Sequence, residues 1–373
     1  MPPSTTTTTT TTTTTDTTTA GQDAQQESSQ VFLMGAEQNK MPFFAPIRVP
    51  FKRRLQTGAV LVWLSSAVVT VMSFLFLCTF KVLWPLIIAY LTWIVIFDKA
   101  PERGGRIAPW WRSWRGWKYF AQYFPMTLVK EGDLDPSKNY IFGYHPHGIV
   151  GMGALATFGT DGLHFSKHFP GIHPRLLTLQ SNFQVPFHRD YIMAHGLASV
   201  SKKSCEYILR SGPGNSIAIV VGGAQESLAA RPGTLDLTLK KRLGFIKLAL
   251  VNGASLVPTL AFGETDLYDQ FTAEENSKFY KFQQLVKRYC GFTMPIVNGR
   301  GIFNYRFGLL PKRRPVFIVI GKPIHVEKAE DGNPTIEQLQ ELQQKYIDSV
   351  LAIWERYKDK FSPNRIQELR IIA

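Results

Sequence analysis

His145-Pro146-His147-Gly148 sets two imidazoles two residues apart, where a strand pattern gives way to small residues. Histidine titrates near neutrality, so it can take a proton from a hydroxyl and return it to a leaving group. Backbone N–H groups at the start of a following helix, with Gly148 and Ile149 best placed, would favour a developing oxyanion. Together they suit attack of an alcohol on an ester or thioester carbonyl. Two other readings compete. An imidazole at a strand end is commonly a packing residue, and a His-x-His pair can hold a metal. Among the remaining histidines, at 164, 168, 173, 188, 195 and 325, only His164 and His168 have HxxxH spacing and no HExxH pattern occurs, so no metal is expected.

The pair needs elements to hold it. Tyr140, Ile141, Phe142 and Tyr144 read as a buried strand leading in, and 149–156 as the small-residue opening of a helix leading out. Further strands are expected at 176–179, 217–221, 255–260 and 316–320, with helices at 198–209 and 243–251. Ile336, Leu339, Leu342, Tyr346, Val350, Ile353 and Tyr357 recur at helical spacing, so 335–361 reads as a closing amphipathic helix after Pro334. This alternation predicts an α/β fold, a parallel or mixed sheet flanked by helices. Gly151-x-Gly153-x-x-Ala156 mimics a dinucleotide fingerprint, but no Asp or Glu occurs at 165–180 to hold a ribose. No GxSxG elbow is present either.

Several further motifs stand in order along the chain. They are Tyr123-Phe124-Pro125, Gly143-Tyr144 before HPHG and Gly151 after it, Pro186-Phe187-His188-Arg189, and Gly222-Gly223-Ala224-Gln225-Glu226-Ser227. Arg242-Leu243-Gly244-Phe245, Leu256-Val257-Pro258, Phe262-Gly263-Glu264 and Gly321-Lys322-Pro323-Ile324 follow. As an ordered set, this resembles the type 2 diacylglycerol acyltransferase family, which includes monoacylglycerol and wax-alcohol acyltransferases, from about Phe51 to Phe361. The resemblance implies a glycerolipid-acyltransferase-like mixed sheet and transfer of an acyl group from acyl-CoA to the hydroxyl of diacylglycerol. Monoacylglycerol, a fatty alcohol or a sterol are alternative acceptors. Acyl-CoA is then a substrate, and no cofactor is implied. Glycerolipid acyltransferases place an Asp five residues after the catalytic His. Val150 and Met152 stand at those positions here, so a carboxylate must come from elsewhere.

Within that frame, His147 is the expected general base, with His145 or Glu226 holding its ring. Glu226, after a strand and two glycines, can accept an imidazole N–H, although a surface-turn Glu is the alternative. Gly148, Gly222 and Gly223 line the expected substrate site. Arg189 is a candidate for a phosphate or ester carbonyl, with a structural salt bridge equally open. Lys240, Lys241 and Arg242, with Lys247, form a basic patch that could hold coenzyme A phosphates or simply be a solvated face.

Residues 1–40 hold a threonine run and carry a net charge of −3, so the rest of a chain with net charge +14 stands at +17. The tail, polar and of low complexity, is expected to be disordered. The basic excess points to anionic membrane or coenzyme A phosphates, since no nucleic-acid-binding signature is present. Residues 41–57 are a basic juxtamembrane segment. Residues 58–97 hold uncharged runs of 23 and 16 residues around Lys81, expected as a transmembrane or re-entrant hairpin. Basic residues on both flanks favour cytosolic termini. Phe74, Leu75 and Leu77 match the start of a neutral-lipid-binding motif proposed for the family, though Lys81 stands where that motif has Asn. Residues 98–127, with four of the eight tryptophans, are expected along the membrane surface, a packed aromatic cluster being the alternative. The catalytic domain is expected at 128–373. The three cysteines fit a reducing compartment. The expected location is the endoplasmic reticulum membrane, with the lipid-droplet surface as a second site. The rival from another class is a non-catalytic lipid-droplet protein, and a homo-oligomer is left open.

Overall fold

Strand β2 (Tyr140–His145) is buried at every position, because it lies between two parallel neighbours. Such a strand has no solvent face, which is why it reads as an almost continuous apolar run. The computed structural model describes residues 43–44, 46, 48–271, 281, 285, 296–329 and 332–372. The threonine-rich tail and Cys290 lie outside them.

Around β2 the seven-stranded sheet runs β1 (Thr127–Lys130), β10 (Phe317–Ile320), β7 (Ser255–Phe262), β2, β5 (Asn215–Val220), β3 (His173–Thr178), β4 (Ala198–Ser199). All neighbours are parallel except β10 with β7, so the sheet is mixed, as expected. Apolar clusters fill both faces, one around Phe142 and Phe158, the other around Ile141 and Ile246. Among the described residues, two small ladders lie outside this sheet: β6 (Asp236–Thr238) with β11 (Arg370–Ile372), and β8 (Asp269–Phe271) with β9 (Ile296–Asn298).

The first long helix, α1 (Phe51–Cys78), begins seven residues before the uncharged run and takes in Lys52, Arg53 and Arg54. At about 1.5 Å per residue it exceeds the apolar thickness of a bilayer. After a tight turn at Lys81–Leu83, α2 (Trp84–Thr92) carries Pro85 in its first turn, where a missing N–H costs nothing. A wider turn, Trp93–Phe97, continues it. Both arms are long and apolar enough to cross a membrane. They are the membrane-associated part of the protein. Val82, Leu86, Val95 and Phe97 stand outward, whereas Ala59 and Val60 of α1 join the domain core.

The tryptophan-rich segment divides. Trp117, on α3 (Arg115–Tyr123), is buried and Trp111 bonds inward to His195, while Trp110 is 75% exposed. Its centre is thus a packed cluster. The expected helix at 198–209 is instead β4 followed by α5 (Lys202–Arg210). Ser201 accepts the Ser204 N–H and starts the helix there. Next come α6 (Gly223–Ala229) and α7 (Gly244–Asn252). The closing helix α8 (Ile336–Phe361) begins as expected, with a reciprocal Thr335–Gln338 capping box.

Candidate active site

In the sheet β2 and β5 run parallel, so their carboxyl ends deliver HPHG and Gly222-Gly223 to one edge. Crevices at such edges are where open α/β sheets bind ligands. The chain does not enter a helix directly after HPHG, as the sequence predicts. Gly148 takes a left-handed φ of +56°, Gly151 caps in the same region, and only then does a short turn, Met152–Ala154, begin. A Cβ at position 148 would lie 2.8 Å from Cγ of Glu264, so only glycine fits there.

The two imidazoles meet different surroundings. His145 is fully buried. Its Nε2 lies 2.9 Å from the hydroxyl of Tyr346 on α8, and that hydroxyl donates to the Gly143 carbonyl at 3.0 Å. With the tyrosine proton committed to Gly143, Nε2–H of His145 donates to the phenol oxygen. Nδ1 is then a buried acceptor with no partner among the described residues. Burial drives the pKa down to about 3, so the ring is neutral. His147 is half-buried. Its Nδ1 stands 3.1 Å from the Gly148 carbonyl. A carbonyl only accepts, so this contact puts the proton on Nδ1 and leaves the Nε2 lone pair available. Burial also lowers this pKa below the ordinary 6.5.

Glu226 does not hold either imidazole. Its buried carboxylate accepts the backbone N–H of His147 at 2.9 Å and that of Thr238 at 2.8 Å. The expected ring contact is replaced by two backbone contacts because α6 begins one residue past β5's turn and points Glu226 under the HPHG backbone. A Cβ at Gly222 would overlap the carboxylate, which explains that glycine. Desolvation raises the Glu226 pKa to about 7 against the two N–H bonds that lower it.

A second buried carboxylate, Glu264, was visible only as a motif letter. It accepts from the Tyr144 hydroxyl and from Gly153 N–H, each at 3.0 Å, and burial raises its pKa to about 7. It braces the turn after HPHG from below. Tyr346 was missed as well, because its helical spacing marks it as core and nothing marks its hydroxyl as a partner of residue 145.

His147 opens on a cavity of about 300 Å³ at the end of β3 and β5. Its wall includes Ile149, Leu155, Leu176 and Gly223, and reaches Trp63 of α1. Trp63 is held edge-on to His195 with ring centroids 5.6 Å apart. Seven other candidates lie elsewhere. Arg189, on the short helix α4 (His188–Ala194), is buried in a 2.7 Å salt bridge to Asp98, just past the hairpin, and donates to the Phe183 carbonyl. The structural alternative therefore applies. Phe74 packs edge-on against Phe187, and Leu75 points outward. None of Phe74, Leu75 and Leu77 lines the cavity. Lys240, Lys241 and Arg242 are exposed, and Arg242 donates to the Gly222 carbonyl at 3.2 Å.

The model of one family, described as diacylglycerol acyltransferase, matches residues 74–371. The chain belongs to the diacylglycerol acyltransferase family. Membership bears out the resemblance read from the motifs. Among the family's relatives, diacylglycerol O-acyltransferase 2A of Umbelopsis ramanniana is 55% identical over 89% of this chain and 94% of its own length. Diacylglycerol O-acyltransferase 1 of Schizosaccharomyces pombe is 47% identical over 86% and 92%. The 2-acylglycerol O-acyltransferase 1 of Bos taurus is 44% identical over 85% and 96%. The crystal structure of the 1-acyl-sn-glycerophosphate acyltransferase of Thermotoga maritima aligns with a TM-score of 0.37 and 13% identity, over 79% of this chain and 98% of its own.

Proposed function

We propose that this acyltransferase moves a fatty acyl group from acyl-CoA to the free hydroxyl of diacylglycerol, with His147 as general base. The observation that carries the reading is the placement of His147. It has a neutral ring with its Nε2 lone pair available, at an apolar cavity that reaches a membrane-associated helix. Nε2 takes the hydroxyl proton as the alcohol oxygen attacks the thioester carbonyl carbon. Backbone N–H groups at Gly148 and Ile149 receive the oxyanion. Its collapse breaks the carbon–sulfur bond, and the imidazolium returns the proton to the departing thiolate. General-base help of this kind contributes roughly 10²–10⁴ in rate. His145 and Glu226 act through the backbone of the turn.

The identities of 47–55% to proteins named for diacylglycerol support that acceptor. Monoacylglycerol is the second reading, favoured by the 2-acylglycerol acyltransferases at 42–44%. The hairpin enters and leaves one side of the endoplasmic reticulum membrane, with both termini cytosolic, or the surface of a lipid droplet. The thioester then arrives from water and the acceptor from lipid. Microsomes given labelled oleoyl-CoA and a panel of diacylglycerol, monoacylglycerol and fatty alcohol should form triacylglycerol fastest. Labelled diacylglycerol as the main product would move the acceptor to monoacylglycerol, and no transfer at all would end the reading.

A further inference from the structure

A second cavity, of about 500 Å³, adjoins the first and shares Val200 and Ile219 with it. It lies between α5 and α7. Its floor is apolar, with Val221, Phe245, Leu248 and Val251. Its rim is cationic. Lys202 comes from α5, Lys241 and Arg242 from the turn before α7, and Lys247 from α7 itself, against the single acid Glu206. Lys202 and Glu206 stand 3.7 Å apart. Among the described residues no carboxylate lies within ion-pair distance of Lys241 or Lys247. An apolar floor under a ring of cations is a poor place for another protein side chain and a good one for a flat, polyanionic group. The acyl cavity needs no such charge, since an acyl chain is neutral.

We infer that this cavity binds the 3′-phosphorylated adenosine diphosphate end of the acyl donor. The floor takes the adenine ring and the four cations take the phosphates. Val200 and Ile219, common to both cavities, mark where the pantetheine arm crosses to bring the thioester beside His147. The inference rests on acyl-CoA being the donor. It divides the sequence's basic patch, because Lys241 and Arg242 line the cavity and Lys240 does not. Lys247 of the same patch and one cation from another position, Lys202, complete the set.

The test compares oleoyl-CoA with its 3′-dephospho analogue on the wild-type membrane enzyme, and adds adenosine 3′,5′-bisphosphate as a probe without an acyl chain. The analogue should show a KM raised about tenfold at unchanged kcat, the loss expected for one charge-assisted contact. The bisphosphate should compete with acyl-CoA and not with the acceptor. The double variant Lys241→Ala/Lys247→Ala should raise the acyl-CoA KM and abolish inhibition by the probe, whereas Lys345→Ala, on the exposed face of α8, should change neither. Equal KM for the two donors, or undiminished inhibition in an active double variant, overturns the assignment while leaving acyl transfer standing. A wild-type enzyme that transfers nothing from acyl-CoA overturns the donor reading and this assignment with it.

Discussion

His145 and His147 sit two residues apart on one turn, yet they occupy opposite environments. The end of β2 is closed by α8, and there every polar atom but one of His145 and Tyr346 is spent on another protein group. The turn beyond it is open, held from beneath by Glu226 and Glu264 and facing an apolar cavity. Residue type offers both histidines for the same job. Surroundings assign them different ones: one buttresses and the other is left free to exchange a proton. The closed region rigidifies the open one, because Glu226 ties the His147 N–H to that of Thr238 on β6, and Glu264 holds Tyr144 and Gly153 on either side of HPHG.

Substitutions on the two sides should therefore separate rate from stability. The largest effect on rate is expected for His147→Ala, a fall on the order of 10²–10⁴ in kcat with little change in melting temperature. Turnover normalised to membrane-inserted protein, together with a thermal melt, checks both halves. Tyr346→Phe should reverse the pattern. It strips the Gly143 carbonyl of a donor and the His145 Nε2–H of an acceptor, each costing about 1–3 kcal/mol when buried. The melt should drop by several degrees while turnover per folded molecule falls less than for His147→Ala. Glu226→Gln is milder still. An amide offers one acceptor oxygen, so either His147 or Thr238 loses its N–H bond, again about 1–3 kcal/mol. A large loss of kcat with an unchanged melt would instead make Glu226 a direct participant. Smallest of all, deletion of residues 1–40 should leave specific activity unaltered in a microsomal assay, because so polar a segment has little to bury.

The strands β2, β5 and β7 and the helix α8 were legible because apolar burial writes its period into the chain. The two-residue β4 was not, being too short to carry a period, and the edge strand β1 is only partly buried. The site divides in the same way. HPHG announces itself by type, and Glu226 by its place in a glycine turn. What each group touches was hidden. Tyr346 lies 201 positions from His145, and Glu264 lies 111 from Gly153, distances that only the folded sheet closes. Arg189 read equally as a phosphate or carbonyl ligand and as a salt-bridge residue, because its partner, Asp98, sits across the hairpin junction and out of local view.

The pH dependence of kcat/KM for acyl transfer separates His147 from the two buried carboxylates as the base. Burial lowers the His147 pKa, so its basic form persists below the ordinary 6.5. If Glu226 or Glu264 were the base, ionisation near pH 7 would control the rate, because burial raises both to about 7. With His147 as the base, a single acid limb lies below pH 6.5 and survives in Glu226→Gln. A limb near pH 7 that disappears in Glu226→Gln would contradict it and move the proton transfer to the carboxylate.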